Sequence, residues 1–294
     1  MTNVTIKGVI PPIITAFDSQ GNFDRRRYAE FVSVLSEKVQ GLFVCGTYGS
    51  GPLMTSKERK EVLETAIEAA GGRIPVIAHI GSSVVSEIHE LAVHAREAGA
   101  VAVAAVPPFY FSYSQSDIIR FFGKLIDDVD IPVFIYNNPK TSGHSVDIKT
   151  LVELKKMGLA GIKDSTFDLL YFYSLLDEVG LDGFSYISGT EAFIIPSVKL
   201  GASGAICGLA NAFPEIVVEL FDAVSEGKWE QAFELQKKVN TLRNIQHLAQ
   251  SIPSIHAMLK MRGIDAGVPR RPFLPVDSSV ENKIKERLIE EGML

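Results

Sequence analysis

The 294-residue chain is short of several things, and each shortage excludes a class of protein. It has only two cysteines, Cys45 and Cys207, and neither sits in a paired-cysteine metal motif, so a disulfide framework is not expected and a reducing compartment fits. No run approaches 18 uninterrupted apolar residues, so no membrane span is expected. The start, MTNVTIKGVIPPIITAF, lacks a basic segment, a long apolar core and a small-residue cleavage site. A cytoplasmic location is therefore the default expectation. Basic residues do not gather into a stripe, and the net charge is −6, so nucleic acid is not an expected partner. His79, His144 and His256 are too scattered to suggest a metal site. Low-complexity segments are absent.

What is present is ordinary globular usage, 46% hydrophobic and 22% charged, with a strong alternation. Short apolar runs fall at 8–17, 41–46, 75–80, 100–106, 132–137, 159–163, 184–188 and 202–207. They are too short for most helices and largely apolar on both faces, as parallel strands covered on both sides must be. Amphipathic stretches separate them. Residues 56–70 put Val62, Ala66 and Ala69 on one face, with Ser56 as the start and Gly71–Gly72 as the stop. Residues 85–98 and 115–129 read alike. Strand and helix alternate eight times, which predicts an α/β fold, a single (β/α)8 TIM barrel, with a doubly wound open sheet as the competing architecture. The barrel core is expected over 1–212. Residues 213–294 hold more helix than the last unit needs: two helices broken at Gly227, one from about Ile252 and one from about Val280. No linker precedes them, so they are expected to pack on the barrel as one structural unit.

Chemistry in such barrels sits where strands end and loops begin. Strand six, LAGIKDST, carries Lys163 on the face it shares with Gly161 and Leu159. Burying an ammonium is costly. One reading is an ion pair with Asp164 or a carboxylate from another strand. The other is a nucleophile whose pKa is pushed down by apolar surroundings, with Gly161 leaving room beneath it. Strand five ends in Tyr136, a core aromatic or a proton shuttle. Strand two ends in GTYGSGP, where Gly46, Gly49 and Gly51 allow an irregular backbone that could cradle an anion and Thr47 offers a hydroxyl. This is neither a P-loop nor a dinucleotide fingerprint. After strand four come Phe109, Tyr110, Phe111 and Tyr113, which suit an interface between copies or a local loop cluster.

Taken in order, GVIPPIITAF with a following G-x-x-D, GTYGSGPL, PPFYF, IYNNP, GIKDST and SGTEA resemble the dihydrodipicolinate synthase and N-acetylneuraminate lyase family over nearly the whole chain. The pairing of IYNxP with GIKDS is specific. The resemblance implies a (β/α)8 barrel, usually a homotetramer, acting on pyruvate-containing compounds without a cofactor or a metal. It implies Lys163 as the Schiff-base lysine, Tyr136 as the proton shuttle, Thr47 as its relay partner, Tyr110 as the tyrosine reaching a neighbouring subunit's site, and Ile206 as part of the pyruvate pocket. Substrate contacts are expected from the Thr47 and Tyr48 N–H groups and from Ser165, Gly189, Thr190 and Glu191.

Departures bear on the substrate. Thr141 stands where dihydrodipicolinate synthases place an arginine for the aldehyde's carboxylate, and Lys140 is no equivalent fork. Tyr48 stands where the family usually has a second threonine, and Gly208 where N-acetylneuraminate lyases usually have serine. The GxGP ending and the RRPFLP segment resemble 2-keto-3-deoxygluconate aldolases, whereas AHIG and PPFYF resemble the sialic-acid branch. The expected function is cleavage of a 2-keto-3-deoxy sugar acid to pyruvate and an aldehyde. Alternatives are N-acetylneuraminate lyase, a dehydratase or hydratase-aldolase using the same iminium, and a degenerate barrel that binds a 2-oxo acid without turnover.

Overall fold

Alternating side chains on a parallel strand need cover on both faces, and a closed barrel ringed by helices supplies it. In the computed structural model, which describes residues 6–294, eight strands do this: β1 Gly8–Val9, β2 Leu42–Val44, β3 Val76–His79, β4 Ala102–Ala105, β5 Val133–Asn137, β6 Gly161–Asp164, β7 Ser185–Ser188 and β8 Gly204–Ala205. Residues 1–5, where the amino-terminal reading began, lie outside the described part. All pairings are parallel, in the order β1-β8-β7-β6-β5-β4-β3-β2. Phe43 closes the circle by donating its N–H to Pro11 O and accepting from Ile13 N, each at 3.1 Å. The expected run 8–17 is a strand for only two residues, because Pro11 and Pro12 have no N–H to give a ladder.

The two faces of the strands form two separate apolar clusters. Phe43, Ile77, Ala104, Phe134, Tyr136, Ile187 and Ile206 fill the barrel interior. Val44, Ala78, Val103, Ile135 and Ile162 point outward into a larger cluster shared with the helices. The helices are α1 Arg25–Ser36, α2 Ser56–Ala70, α3 Val85–Ala98, α4 Gln115–Asp128, a short α5 Pro139–Ser142, α6 Ile148–Lys156, α7 Leu169–Glu178, α8 Ile194–Lys199 and α9 Pro214–Ser225. Three more follow: α10 Trp229–Gln246, α11 Ser251–Met261 and α12 Ser278–Glu290. No helix among the described residues is long and apolar enough to cross a membrane.

Local chemistry sets the helix ends. Thr55, not Ser56, caps α2: its hydroxyl accepts from Glu58 N at 3.3 Å, and Glu58 Oε2 accepts from Thr55 N at 2.8 Å. Gly71 ends that helix in the left-handed region, φ +58°. Register then sets the chemistry. Tyr136 pairs with Lys163 and Asn137 with Asp164 across β5 and β6, so the phenol and the amine share the inner face and the amide and the carboxylate share the outer one.

Gly161 does not leave a void beneath Lys163. A Cβ there would lie 2.3 Å from Ser185 O and 2.6 Å from Phe134 Cε1, so the glycine lets Phe134 and the β7 backbone close in. Leu159 also leaves the inner face and joins the outer cluster. Gly161→Ala should therefore lower stability by about 1–3 kcal/mol through overpacking. Urea unfolding checks this, and an unchanged midpoint would show that the contact is slack.

Candidate active site

Lys163 ends β6 inside the barrel and is 3% exposed. Its Nζ lies 3.8 Å from the Tyr136 ring centroid and 4.2 Å from that of Phe43. Among the described residues it has no carboxylate partner. Asp164 faces the other way, accepting from Asn137 Nδ2 at 2.9 Å and Thr166 Oγ1 at 2.7 Å, and burial pushes its carboxyl up to about 6. The ion-pair reading of Lys163 thus loses its nearest candidate. Burial lowers the Lys163 amine from its ordinary value, only partly opposed by Tyr136. Burial alone would raise the Tyr136 phenol. The Lys163 charge and the hydroxyls of Thr47 and Ser165 outweigh it and hold the phenol below its usual range. Asn138 Nδ2 donates to the Tyr136 oxygen at 3.0 Å. An amine eased toward its neutral form beside a phenol eased toward its anion is the pairing that a nucleophile with an adjacent base requires.

These groups open into a cavity of about 350 Å³ at the carboxyl ends of the strands. Thr47, Tyr48, Tyr136, Lys163, Ser165, Gly189, Thr190, Glu191 and Ile206 all line it. Tyr110 does not: it is 86% exposed at φ +85°, its ring edge-on to Phe111 at 5.1 Å. Gly189 is obligatory, since a Cβ would meet Ser165 Oγ at 2.0 Å. In the β2 loop the left-handed turns fall on Cys45 and Ser50, φ +58° and +57°. The glycines serve close approach instead. A Cβ on Gly51 would lie 1.8 Å from Cys45 O, and one on Gly49 would lie 2.8 Å from Ile13 O. The N–H groups of Thr47 and Tyr48 have no protein acceptor among the described residues, which suits an anion cradle.

The cavity also takes Lys140 and residues that strand-end reasoning did not reach: Phe167, Arg243, His247 and Ser251. Arg243 Nε pairs with Glu191 at 3.2 Å, and burial still holds the Glu191 carboxyl above its ordinary value. Lys140 and Arg243 both lie over the Phe167 ring, at 5.1 and 6.0 Å, and Phe167 takes a left-handed φ of +62°. Arg243 lies in the last turn of α10 and His247 follows its end, and the sequence carried no signal that this face turns toward the cavity.

A second, largely apolar chamber of about 270 Å³ adjoins the first through Thr47 and Thr141, and Phe109 and His79 line it. His79 contacts Cys45 O through Nδ1 at 3.2 Å, while Nε2 has no partner among the described residues. Burial, reinforced by the charges of Arg59 and Lys163, keeps the imidazole neutral, well below its ordinary pKa. His144 and His256 lie apart from it, bonded to Phe111 O and Gly267 O.

A lowered lysine pKa has a stability signature. Above the folded pKa of Lys163 and below its unfolded value near 10.5, the unfolded chain holds the extra proton, so stability rises with pH in that window. Lys163→Met should therefore raise the melting temperature at neutral pH, with the gain shrinking as pH approaches 10. Thermal scans across pH check both signs, and a destabilised variant would mean that the ammonium is well solvated by its rings.

Comparison with known proteins places this geometry. The model of the dihydrodipicolinate synthetase family matches residues 5–291. An uncharacterised DapA-like lyase of Halobacterium salinarum is 31% identical over 291 residues, covering 98% of this chain and 95% of that protein. The crystal structure of dihydrodipicolinate synthase from Aquifex aeolicus superposes with a TM-score of 0.92 at 28% identity, covering 98% of this chain and 99% of that one. That of KD(P)GA from T. tenax gives 0.89 at 29% identity, with the same coverage of both chains. The chain belongs to the dihydrodipicolinate synthetase family, and is a pyruvate-dependent class I lyase.

Proposed function

We propose that the protein cleaves a 2-keto-3-deoxy sugar acid, such as 2-keto-3-deoxygluconate, into pyruvate and an aldehyde, with Lys163 as the Schiff-base nucleophile. The observation that carries this is the Lys163–Tyr136 pair, a buried amine without a carboxylate set 3.8 Å from a phenol ring. Neutral Lys163 attacks the C2 ketone and water leaves, forming an iminium. Tyr136 takes the proton from the C4 hydroxyl, the C3–C4 bond breaks, and its electrons pass into the iminium to give an enamine. The aldehyde departs. C3 is then protonated from Tyr136, and water hydrolyses the iminium to release pyruvate and the amine. The substrate carboxylate rests on the Thr47 and Tyr48 N–H groups. Ser165, Thr190 and Glu191 meet the hydroxyls of the sugar chain, and Gly189 and Ile206 wall the pyruvyl end.

Substrate choice follows from charges. Thr141 cannot supply the two-pronged ionic contact that a second carboxylate near C4 would need, and losing such a contact costs a few kcal/mol. Lys140 and Arg243, which line the cavity and lie over the Phe167 ring, favour a second reading, in which the far end of the sugar acid carries an anion. The likeness to KD(P)GA from T. tenax supports this reading.

Borohydride added with pyruvate should place covalent mass on Lys163 alone, and label on another lysine would remove it as the nucleophile. In steady state, kcat/KM for 2-keto-3-deoxygluconate cleavage should exceed that for condensation of pyruvate with aspartate semialdehyde. The reverse order would leave the Schiff base standing and overturn the substrate class.

The exposed Tyr110 and the apolar chamber beside Thr47 support a homotetramer in which the Tyr110 hydroxyl enters a neighbour's site and extends the Tyr136–Thr47 relay. Tyr110→Ala should lower kcat by about 10- to 100-fold while pyruvate trapping persists. A fully active monomer at micromolar concentration, measured by sedimentation, contradicts the assembly.

A further inference from the structure

Tyr48 is seated where the two ends of the chain's chemistry meet. Its ring crosses from the β2 loop to the first residues after β8 and ends on bare backbone. A Cβ on Gly208 would lie 2.2 Å from Tyr48 Cζ, 2.3 Å from Cε1 and 2.5 Å from the hydroxyl oxygen. No residue with a side chain at 208 coexists with the ring in this position. The phenol oxygen accepts from Gln246 Nε2 of α10 at 2.9 Å, with the Ser251 hydroxyl also beside it. Gln246 is wholly buried, so the far end of the ring is anchored in the protein interior. Tyr48 and Gly208 both line the cavity that holds Lys163. The ring is thus a fixed wall across the gap between the mouths of β2 and β8.

We propose that Tyr48 and Gly208 form a size-complementary pair that limits the length and bulk of the 2-oxo acid the enzyme accepts. This rests on the Schiff-base reading above and deepens it. With the carboxylate on the β2 loop and C2 at Lys163, the remainder of the substrate has two ways to run. The route toward β8 is narrowed by the phenol, which packs against Gly208. The route past β5 to β7, toward Lys140, Ser165 and Glu191, stays open. A short, unbranched sugar acid fits that route, and a long or branched one needs the volume that the ring occupies. The alternative role, in which Tyr48 only ties α10 to the barrel, affects stability and leaves selectivity alone.

The test compares kcat/KM for 2-keto-3-deoxygluconate with that for N-acetylneuraminate, chosen as a longer, branched 2-oxo acid. Tyr48→Thr should shift the ratio toward the longer acid by about tenfold or more, the scale on which pocket volume discriminates. Tyr48→Phe keeps the ring and should leave the ratio near that of the unaltered protein. Gly208→Ala should push the ring into the cavity and lower turnover of both acids, and Gly208→Ala combined with Tyr48→Thr should recover it. An unchanged ratio in Tyr48→Thr, or a Gly208→Ala protein as active as the parent, overturns the proposal. So does a Tyr48→Phe protein that shifts as far as Tyr48→Thr. Should Gly208→Ala alone precipitate, a combined variant that is equally inactive on both acids counts against it. Pyruvate trapping at Lys163 separates the two levels. Its absence from the unaltered protein refutes the Schiff-base reading, whereas trapping with an unmoved ratio refutes only the wall.

Discussion

One buried amine with no carboxylate partner among the described residues organises this site. Lys163 is buried in an apolar barrel, and what faces it are the rings of Phe43 and Tyr136. Ring faces attract a cation without neutralising it, by roughly 0.5–2 kcal/mol. That holds the lysine in place but leaves its proton loosely bound. A carboxylate at the same distance would hold the proton on the amine and oppose the nucleophilic role proposed for it. The arrangement therefore depends on sending Asp164, the neighbouring residue in the chain, to the opposite face of the strand. There it is satisfied by Asn137 and Thr166. Strand alternation does this at no further cost, since one step along β6 moves a side chain from the lumen to the helix layer.

Much of this was legible in the sequence, for identifiable reasons. Strand and helix periods are local properties, so the helices Ser56–Ala70 and Val85–Ala98 fall on the stretches that the pattern marked. The strand-end residues were legible because a parallel barrel converts position at a strand's end into position at the cavity. Lys163, Tyr136, Thr47, Gly189 and Ile206 come together for that reason. Arg243, His247 and Ser251 were not legible. They reach the cavity from helices beyond the eighth strand, and which face of such a helix turns inward is decided by packing. Gly161 was misread for a related reason. A glycine in a sequence does not say whether it makes room or lets something in, and here the neighbours close in.

Backbone strain gathers at the same rim. Among the described residues the non-glycine positions with positive φ are Cys45, Ser50, Tyr110 and Phe167. All lie in the loops that follow β2, β4 and β6. Such conformations cost on the order of 1–3 kcal/mol each, and a stable barrel beneath them can carry the cost. The loops at the opposite end of the barrel carry left-handed turns on glycines instead, as at Gly71 and Gly99. One end of the barrel is built for cheap connection and the other for fixed side-chain direction.

The barrel's closure between β1 and β2 has a mechanical consequence. Elsewhere the strands are joined by regular ladders, but here two prolines leave a seam of few bonds around Phe43. Pro12, on one side of the seam, also lines the cavity, and Phe43, on the other, carries the lysine on its ring. Pro12 and Phe43 meet across this seam, so the wall of the cavity and the ring under the amine share one joint, held by single backbone bonds around Phe43 and not by a continuous ladder.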